Sequence, residues 1–162
     1  MAKSTTLILC VLIIIFSTTV NSVSFEKKLR LSNIIHKSCL TLGWPYVGIK
    51  TVIVDPLSLE LRVAYCTGTT YGGLRGYYEL AYNNRLRGGV LAEIGATGFT
   101  REKFSGNGGV VGMAVYGEYF VLNNIGVTLD FGPAYIDLTD KDGYRSSGLE
   151  WVINTGLSWY FR

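Results

Sequence analysis

The C-terminal segment of the chain alternates apolar and other side chains with a period of two residues. Successive side chains of a β-strand point to opposite faces, so this segment is predicted to be a strand with one tall apolar face. It is longer than the usual strand of about five or six residues. A tilted strand that crosses a bilayer needs about nine to eleven residues, so the pattern favours a transmembrane strand. The mainly apolar series consists of Leu149, Trp151, Ile153, Thr155, Leu157, Trp159 and Phe161.

The same alternation recurs upstream and predicts six further strands. The connections between them differ in length: Asp55-Pro56-Leu57 and two Asn-Asn pairs are short turn signals. The connections at 66–70, 100–108 and 139–147 are longer and polar. Short turns at one end and long loops at the other are typical of bacterial outer-membrane barrels, whose long loops are external. The predicted strands are 46–54, 58–66, 71–82, 87–99, 109–121 and 125–138.

The first 42 residues divide into two segments. Lys3, an apolar core at 7–16 and small or polar residues at 17–22 predict a secretory signal peptide over 1–22, cleaved after Ser22. An even number of strands requires one more strand before residue 46, and only 23–42 is available. Its alternation is imperfect, so this segment is interpreted as a first strand or a short helix. Residues 43–162 then form the barrel.

These observations predict an all-β fold: a closed, antiparallel, up-and-down transmembrane β-barrel of eight strands. The charged residues of the strands lie on the face opposite the apolar series. We therefore predict that the charged face points inward. An eight-stranded barrel has room inside only for side chains, and buried charges are normally paired. We predict a structural network of ion pairs there; a catalytic carboxylate pair or an ion path is the alternative. Its members are Lys50, Glu60, Arg62, Arg75, Glu79, Glu93, Glu118, Asp130 and Glu150.

Composition and candidate chemistry narrow the function. The net charge of +3 is too small, and the basic residues too scattered, to indicate a nucleic-acid partner. Cys39 and Cys66 remain after export and could form a disulfide in an oxidising periplasm. The single histidine, His36, and two distant cysteines do not make a metal site, and no nucleophile–base set stands out. We therefore predict no cofactor, no metal and no enzymatic activity.

Three stretches carry a resemblance to a known family. Residues 43–50 (GWPYVGIK), 59–62 (LELR) and 71–78 (YGGLRGYY) resemble small OmpA/OmpX-type outer membrane β-barrel proteins, and the resemblance spans 43–162. It implies insertion by the barrel-assembly machinery, with Leu157, Trp159 and Phe161 as the C-terminal assembly signal. The chain departs from the family pattern in one respect, because Arg162 follows the terminal aromatic residue.

Three functions are compatible with this sequence. The first is a non-enzymatic outer membrane barrel of a Gram-negative bacterium, a monomer held in outer-membrane lipid, whose external loops contact an unknown ligand. The second is an outer-membrane enzyme that modifies lipid. The third is a soluble, lipocalin-like barrel, which would turn its apolar face inward around a ligand. The first is preferred because a cavity lined by glutamate, arginine and glycine does not suit an apolar ligand.

Overall fold

The computed structural model describes residues 38–83, 85–101 and 104–161. The predicted signal peptide and the first part of the 23–42 segment lie outside these residues. No helix within the described ranges is long and apolar enough to cross a membrane. The described ranges fold into eight strands: β1 (Ser38–Gly43), β2 (Tyr46–Val54), β3 (Leu57–Cys66), β4 (Thr69–Asn83), β5 (Leu86–Arg101), β6 (Phe104–Leu122), β7 (Ile125–Asp140) and β8 (Arg145–Phe161).

The strands form a closed barrel in which each strand pairs antiparallel with the next and β8 pairs with β1. Leu40 of β1 has a partner on β2, that residue has a partner on β3, and so on round the barrel; this path reaches β8 at Leu149. Leu40 itself pairs with Trp159. The register therefore shifts by ten residues per turn of the barrel, which requires strands tilted by about 35–45°. The predicted eight-stranded, up-and-down barrel is confirmed.

Most strands are longer than the alternation predicts. The bounds of β2 are those predicted, but β4 to β8 all continue into the polar segments that were interpreted as long loops. The prediction of long connections is therefore wrong: the turn between β3 and β4 is Thr67–Gly68, and the one between β7 and β8 is 141–144. Backbone pairing does not require apolar side chains, so a ladder can continue after the apolar pattern has ended.

The first strand lies at the end of the 23–42 segment. Cys39, Leu40 and Thr41 pair with β2 on one side and with β8 on the other, so the described part of this segment is a strand and not a helix. The described part of the barrel therefore includes Ser38, five residues before the predicted boundary at 43. The imperfect alternation upstream has no bearing on this strand, which is only six residues long.

The outward face of the barrel is apolar and the inward face is polar. Along β3 the outward Leu59, Leu61 and Val63 are exposed, whereas the intervening Glu60 and Arg62 are buried. The same division holds along β8, where Trp151, Ile153, Leu157, Trp159 and Phe161 are all exposed. This is the reverse of a soluble protein, in which the large apolar side chains are those most often buried.

The two ends of the barrel differ in shape. One end, called here the terminal end, holds Ser38 and Phe161 together with the turns at 55–56 and 123–124. At the other end, called the open end, β8 continues for eleven residues, Arg145–Thr155, beyond the last residue that pairs with β1. At ordinary strand rise and tilt this is about 25 Å. The wall of β1 and β2 is therefore low, and the gap above it, between β8 and the 43–46 turn, is called the notch.

Candidate functional site

Arg75 is the centre of the first charged cluster inside the barrel. Its Nε donates to Oε2 of Glu93 at 2.8 Å, and its Nη1 donates to Oδ2 of Asp130 at 2.8 Å. The second oxygens of both carboxylates are also occupied, because Tyr71 donates to Glu93 and Asn154 donates to Asp130 at 2.7 Å. Strands β4, β5, β7 and β8 are thus joined across the interior. Charge-assisted bonds of this length are the stronger kind of hydrogen bond.

Glu60 is the centre of a second cluster and is completely buried. The hydroxyls of Thr41 and Tyr77 both donate to its carboxylate. Arg62 contacts the same carboxylate through Nη2 only, at 3.3 Å, while its guanidinium lies over the ring of Tyr46 at 3.5 Å from the centroid. The Nε of Arg62 has no hydrogen-bond partner among the described residues. Arg62 therefore has donor capacity that this cluster does not use.

Glu118 is the centre of a third cluster nearer the terminal end. Lys50 donates to its Oε2 at 3.2 Å, and the hydroxyl of Tyr160 lies 2.7 and 2.8 Å from its two oxygens. Below it, Arg87 lies 3.8 Å from Glu79 and 4.8 Å from the ring centroid of Phe120. These partners reduce the cost of keeping the charges out of water.

Eight of the nine predicted network residues occupy the interior, and the prediction for Glu150 is wrong. Lys50, Glu60, Arg62, Arg75, Glu93, Glu118 and Asp130 fall into the three clusters, and Glu79 pairs with Arg87. Glu150 pairs in the ladder with the inward-facing Ala134, so the alternation places it on the correct face. It is nevertheless exposed, because it lies in the part of β8 that rises above the low wall.

Several inward-facing residues that complete these clusters were not predicted as part of the network. Arg87 shares the parity of Glu93 on β5, so the period of two alone would have placed it inside. Thr41, Tyr71, Tyr77 and Tyr160 donate through hydroxyl groups, which a search for charged residues does not find.

A cavity of about 190 Å³ lies above the clusters and opens towards the open end. Its floor includes Arg62, Arg75, Asp130 and Asn154. Its upper wall includes three inward-facing, half-buried apolar side chains, those of Val110, Ile136 and Val152. Residues from both sides of the notch line it, namely Tyr46 of β2 and Val152 and Asn154 of β8. The cavity is therefore amphipathic and lies directly behind the notch.

Other candidate chemistry is located as follows. Cys39 is buried near the terminal end and Cys66 is exposed at the open end; both are free, so the open possibility of a disulfide between them is not realised. Within the described ranges no group of three or more His, Cys, Asp and Glu residues could hold a metal ion. His36 lies outside these ranges. The predicted assembly signal, Leu157, Trp159 and Phe161, lies on the outward face of β8 at the terminal end.

Comparisons with known proteins give a structural likeness alone. No protein-family model and no curated protein matches the chain. Among solved structures, the chain is similar to the crystal structure of a major outer membrane protein from Thermus thermophilus. The TM-score is 0.44 and the sequence identity 16%, and the match covers 76% of this chain and 98% of the other.

Proposed function

We propose that the chain is a non-enzymatic, integral outer membrane β-barrel of the small OmpA/OmpX type in a Gram-negative bacterium. Its wall is held in lipid, its polar interior is a packed core, and its open end faces the exterior. The observation that carries this proposal is the continuous belt of exposed apolar side chains around a buried, charged interior. The belt and the interior each argue against one competing class of protein.

The height of the belt matches a bilayer. On β8 it runs from Trp151 to Phe161, which are 65% and 42% exposed, and both of its ends are aromatic. Ten residue steps correspond to about 25 Å along the barrel axis at ordinary rise and tilt. Outer-membrane barrels carry an apolar band about 25 Å tall with aromatic girdles at both interfaces. Beyond Trp151, towards the open end, Leu149 is the last exposed apolar side chain of β8, and the exposed residues at 145–148 are arginine, serine and glycine.

The division of the faces argues against a soluble, lipocalin-like carrier. Such a barrel would enclose its apolar face, but here Leu61, Ile94 and Met113 are each more than 60% exposed. An apolar surface of this extent in water would be an aggregation site, whereas in hydrocarbon it is the stable arrangement.

The filled interior argues against a pore. Between the cavity and the terminal end, the cross-section holds Glu60, Tyr77, Lys50, Glu118 and Tyr160, each at most 9% exposed. These side chains are held to one another by hydrogen bonds and by the Lys50–Glu118 ion pair. A solute could pass only by breaking this core, so the barrel is a membrane anchor for its open end.

The partners follow from the same proposal. The barrel contacts outer-membrane lipid along its belt, and its closed ring leaves no need for a second copy. Leu157, Trp159 and Phe161 are offered to the barrel-assembly machinery from the outward face of the last strand.

Refolding into lipid tests the proposal. The purified chain, diluted from urea into phosphatidylcholine vesicles, is expected to migrate differently in gels with and without boiling, because a folded membrane barrel resists detergent. It is also expected to co-float with the vesicles after an alkaline wash. A chain that stays monodisperse in water without detergent and does not float would contradict the proposal.

A further inference from the structure

The notch places polar backbone within the apolar belt. The belt on β8 reaches up to Trp151, but β1 last pairs with β8 at Gly156, five residues lower. From Trp151 to Thr155, β8 therefore pairs only with β7 among the described residues. At an edge, every second residue points its N–H and C=O groups away from the sheet. Irregular or unpaired backbone at membrane depth is tolerated only where it is covered by protein or lines a polar cavity.

A second copy of the chain cannot cover this edge by strand pairing. Two barrels inserted in the same direction are related by an axis along the membrane normal. Such an axis reverses the tilt of β8, so the two edges would cross at a large angle instead of pairing. A ligand of the cavity behind the notch can instead reach it from the bilayer or from outside.

The cavity behind the notch has the polarity of an acyl compound. On its floor, Arg62 is only 3% exposed and contacts Glu60 only at 3.3 Å; its Nε has no described partner and is itself buried. Arg75, by contrast, has bonds of 2.7–2.8 Å to two carboxylates. A guanidinium has donors only, so Arg62 is suited to an acceptor oxygen. Above it, Val110, Ile136 and Val152 offer apolar surface.

We propose that this cavity binds a long acyl chain that enters through the notch from the outer half of the bilayer. The carboxyl group, free or esterified, lies against Arg62, and the chain lies along Val110, Ile136 and Val152. The free acid and the ester share the acceptor carbonyl that Arg62 recognises, and they differ in source: a fatty acid or a lipid. This inference rests on the proposed membrane location.

Photo-crosslinking in vesicles tests it. The full chain is refolded in phosphatidylcholine vesicles, insertion is scored by heat-modifiable migration, and a stearic acid with a mid-chain diazirine is added and illuminated. Annular lipid labels only outward residues and does not saturate. The expected result is saturable labelling of peptides at Val110, Ile136 or Val152. Labelling restricted to outward residues such as Ile153, in a barrel that has inserted, overturns this inference and leaves the proposed function intact. Failure of insertion overturns both.

Matched variants locate the site. Val152→Trp fills the cavity and is expected to reduce the inner labelling at least tenfold, whereas Ile153→Trp, on the outward face, leaves it unchanged. Ile136→Phe replaces Val152→Trp if the latter does not insert.

Arg62→Gln is expected to raise the probe concentration that gives half-maximal labelling about tenfold. Arg87→Gln is its control, because Arg87 also has a buried Nε without a described partner but does not line the cavity. Equal effects of the two arginine variants would contradict the site.

A competition arm separates the two sources. Unlabelled stearic acid and methyl stearate are each titrated against the diazirine probe. If both compounds compete, the site accepts an esterified acyl chain as well as the free acid. If only the acid competes, the ligand is a fatty acid. Competition by neither overturns the proposal.

Discussion

Arg75 and Asp130, which lie on β4 and β7, are joined across the barrel interior by a hydrogen bond of 2.8 Å between Nη1 and Oδ2. The two strands are not neighbours in the ring, so this bond connects opposite walls. The clusters around Arg75, Glu60 and Glu118 bring together side chains from most of the strands, and they take the place of the apolar core of a soluble domain.

Removing Arg75 leaves the carboxylates of Glu93 and Asp130 without their cation, whereas removing Asp130 leaves Arg75 paired with Glu93 at 2.7 Å. Arg75→Ala is therefore expected to lower the free energy of unfolding by about 3–5 kcal/mol, and Asp130→Ala is expected to lower it by less. The double variant is expected to cost less than the sum, with a coupling of about 0.5–3 kcal/mol. Urea titration in vesicles measures all four species. Strict additivity would show that the two residues act independently.

The outward wall is tested on β8. Ile153→Arg is expected to cost about 2–4 kcal/mol, since its side chain would face hydrocarbon near the middle of the bilayer. Ser147→Arg is the control, because Ser147 has the same parity but lies beyond the belt. Its expected cost is near zero. Equal costs at both positions, measured by urea titration in vesicles, would argue that the wall does not lie in lipid.

Thiol labelling tests the orientation with the native cysteines. Cys66 is exposed at the open end and Cys39 is buried, so a membrane-impermeant reagent is expected to label intact cells once per chain. In a Cys66→Ser background, Asp142→Cys is expected to restore labelling and Asn123→Cys to leave it absent. Labelling of the Asn123 variant alone would place the terminal end outside.

Glycine substitution tests the packing of β6 against β7. A Cβ at Gly132 would meet the carbonyl oxygen of Met113 and the backbone of Ala114. Because backbone atoms cannot move aside as a flexible side chain can, Gly132→Ala is expected to destabilise the barrel by about 1–3 kcal/mol. Gly148→Ala, where nothing lies within 4 Å, is the neutral control. A harmless Gly132→Ala in the same urea titration would mean that these strands are further apart.

The two-residue alternation predicts most of the architecture, and each of its failures has a local cause. It finds both bounds of β2 and predicts the inward face of β3 and β6. It does not find β1, because six residues are too few for a convincing pattern. Plain alternation would place Tyr82 on the face of Leu80, but a bulge between Glu79 and Ala81 shifts the register, and Tyr82 pairs with Arg87, whose guanidinium lies 5.3 Å from the Tyr82 ring centroid. An extra residue of this kind leaves no clear mark on the sequence.

The candidate site was only partly accessible from the sequence. Alternation finds the charged residues of the floor, such as Arg62 and Asp130, because charge on an inward face stands out. The cavity above them depends on the height of each wall, which is set by ladder length and the ten-residue shift of register. Glu150 illustrates this. Alternation predicts its inward face correctly, but it does not predict that Glu150 is exposed, because burial also requires a wall on the opposite side of the barrel.

The seam between β1 and β8 has a consequence for how the ring breaks. Among the described residues, six on each side hold it, whereas β5 and β6 pair along their whole shared length. The seam also joins the two strands furthest apart in sequence, so its formation closes the largest loop in the chain. It is therefore the natural point at which the ring unzips, with the first strand peeling from the last while the β5–β8 sheet persists as a curved ribbon. Amide exchange is expected to be fastest along Cys39–Leu42 and slowest along the middle of β6.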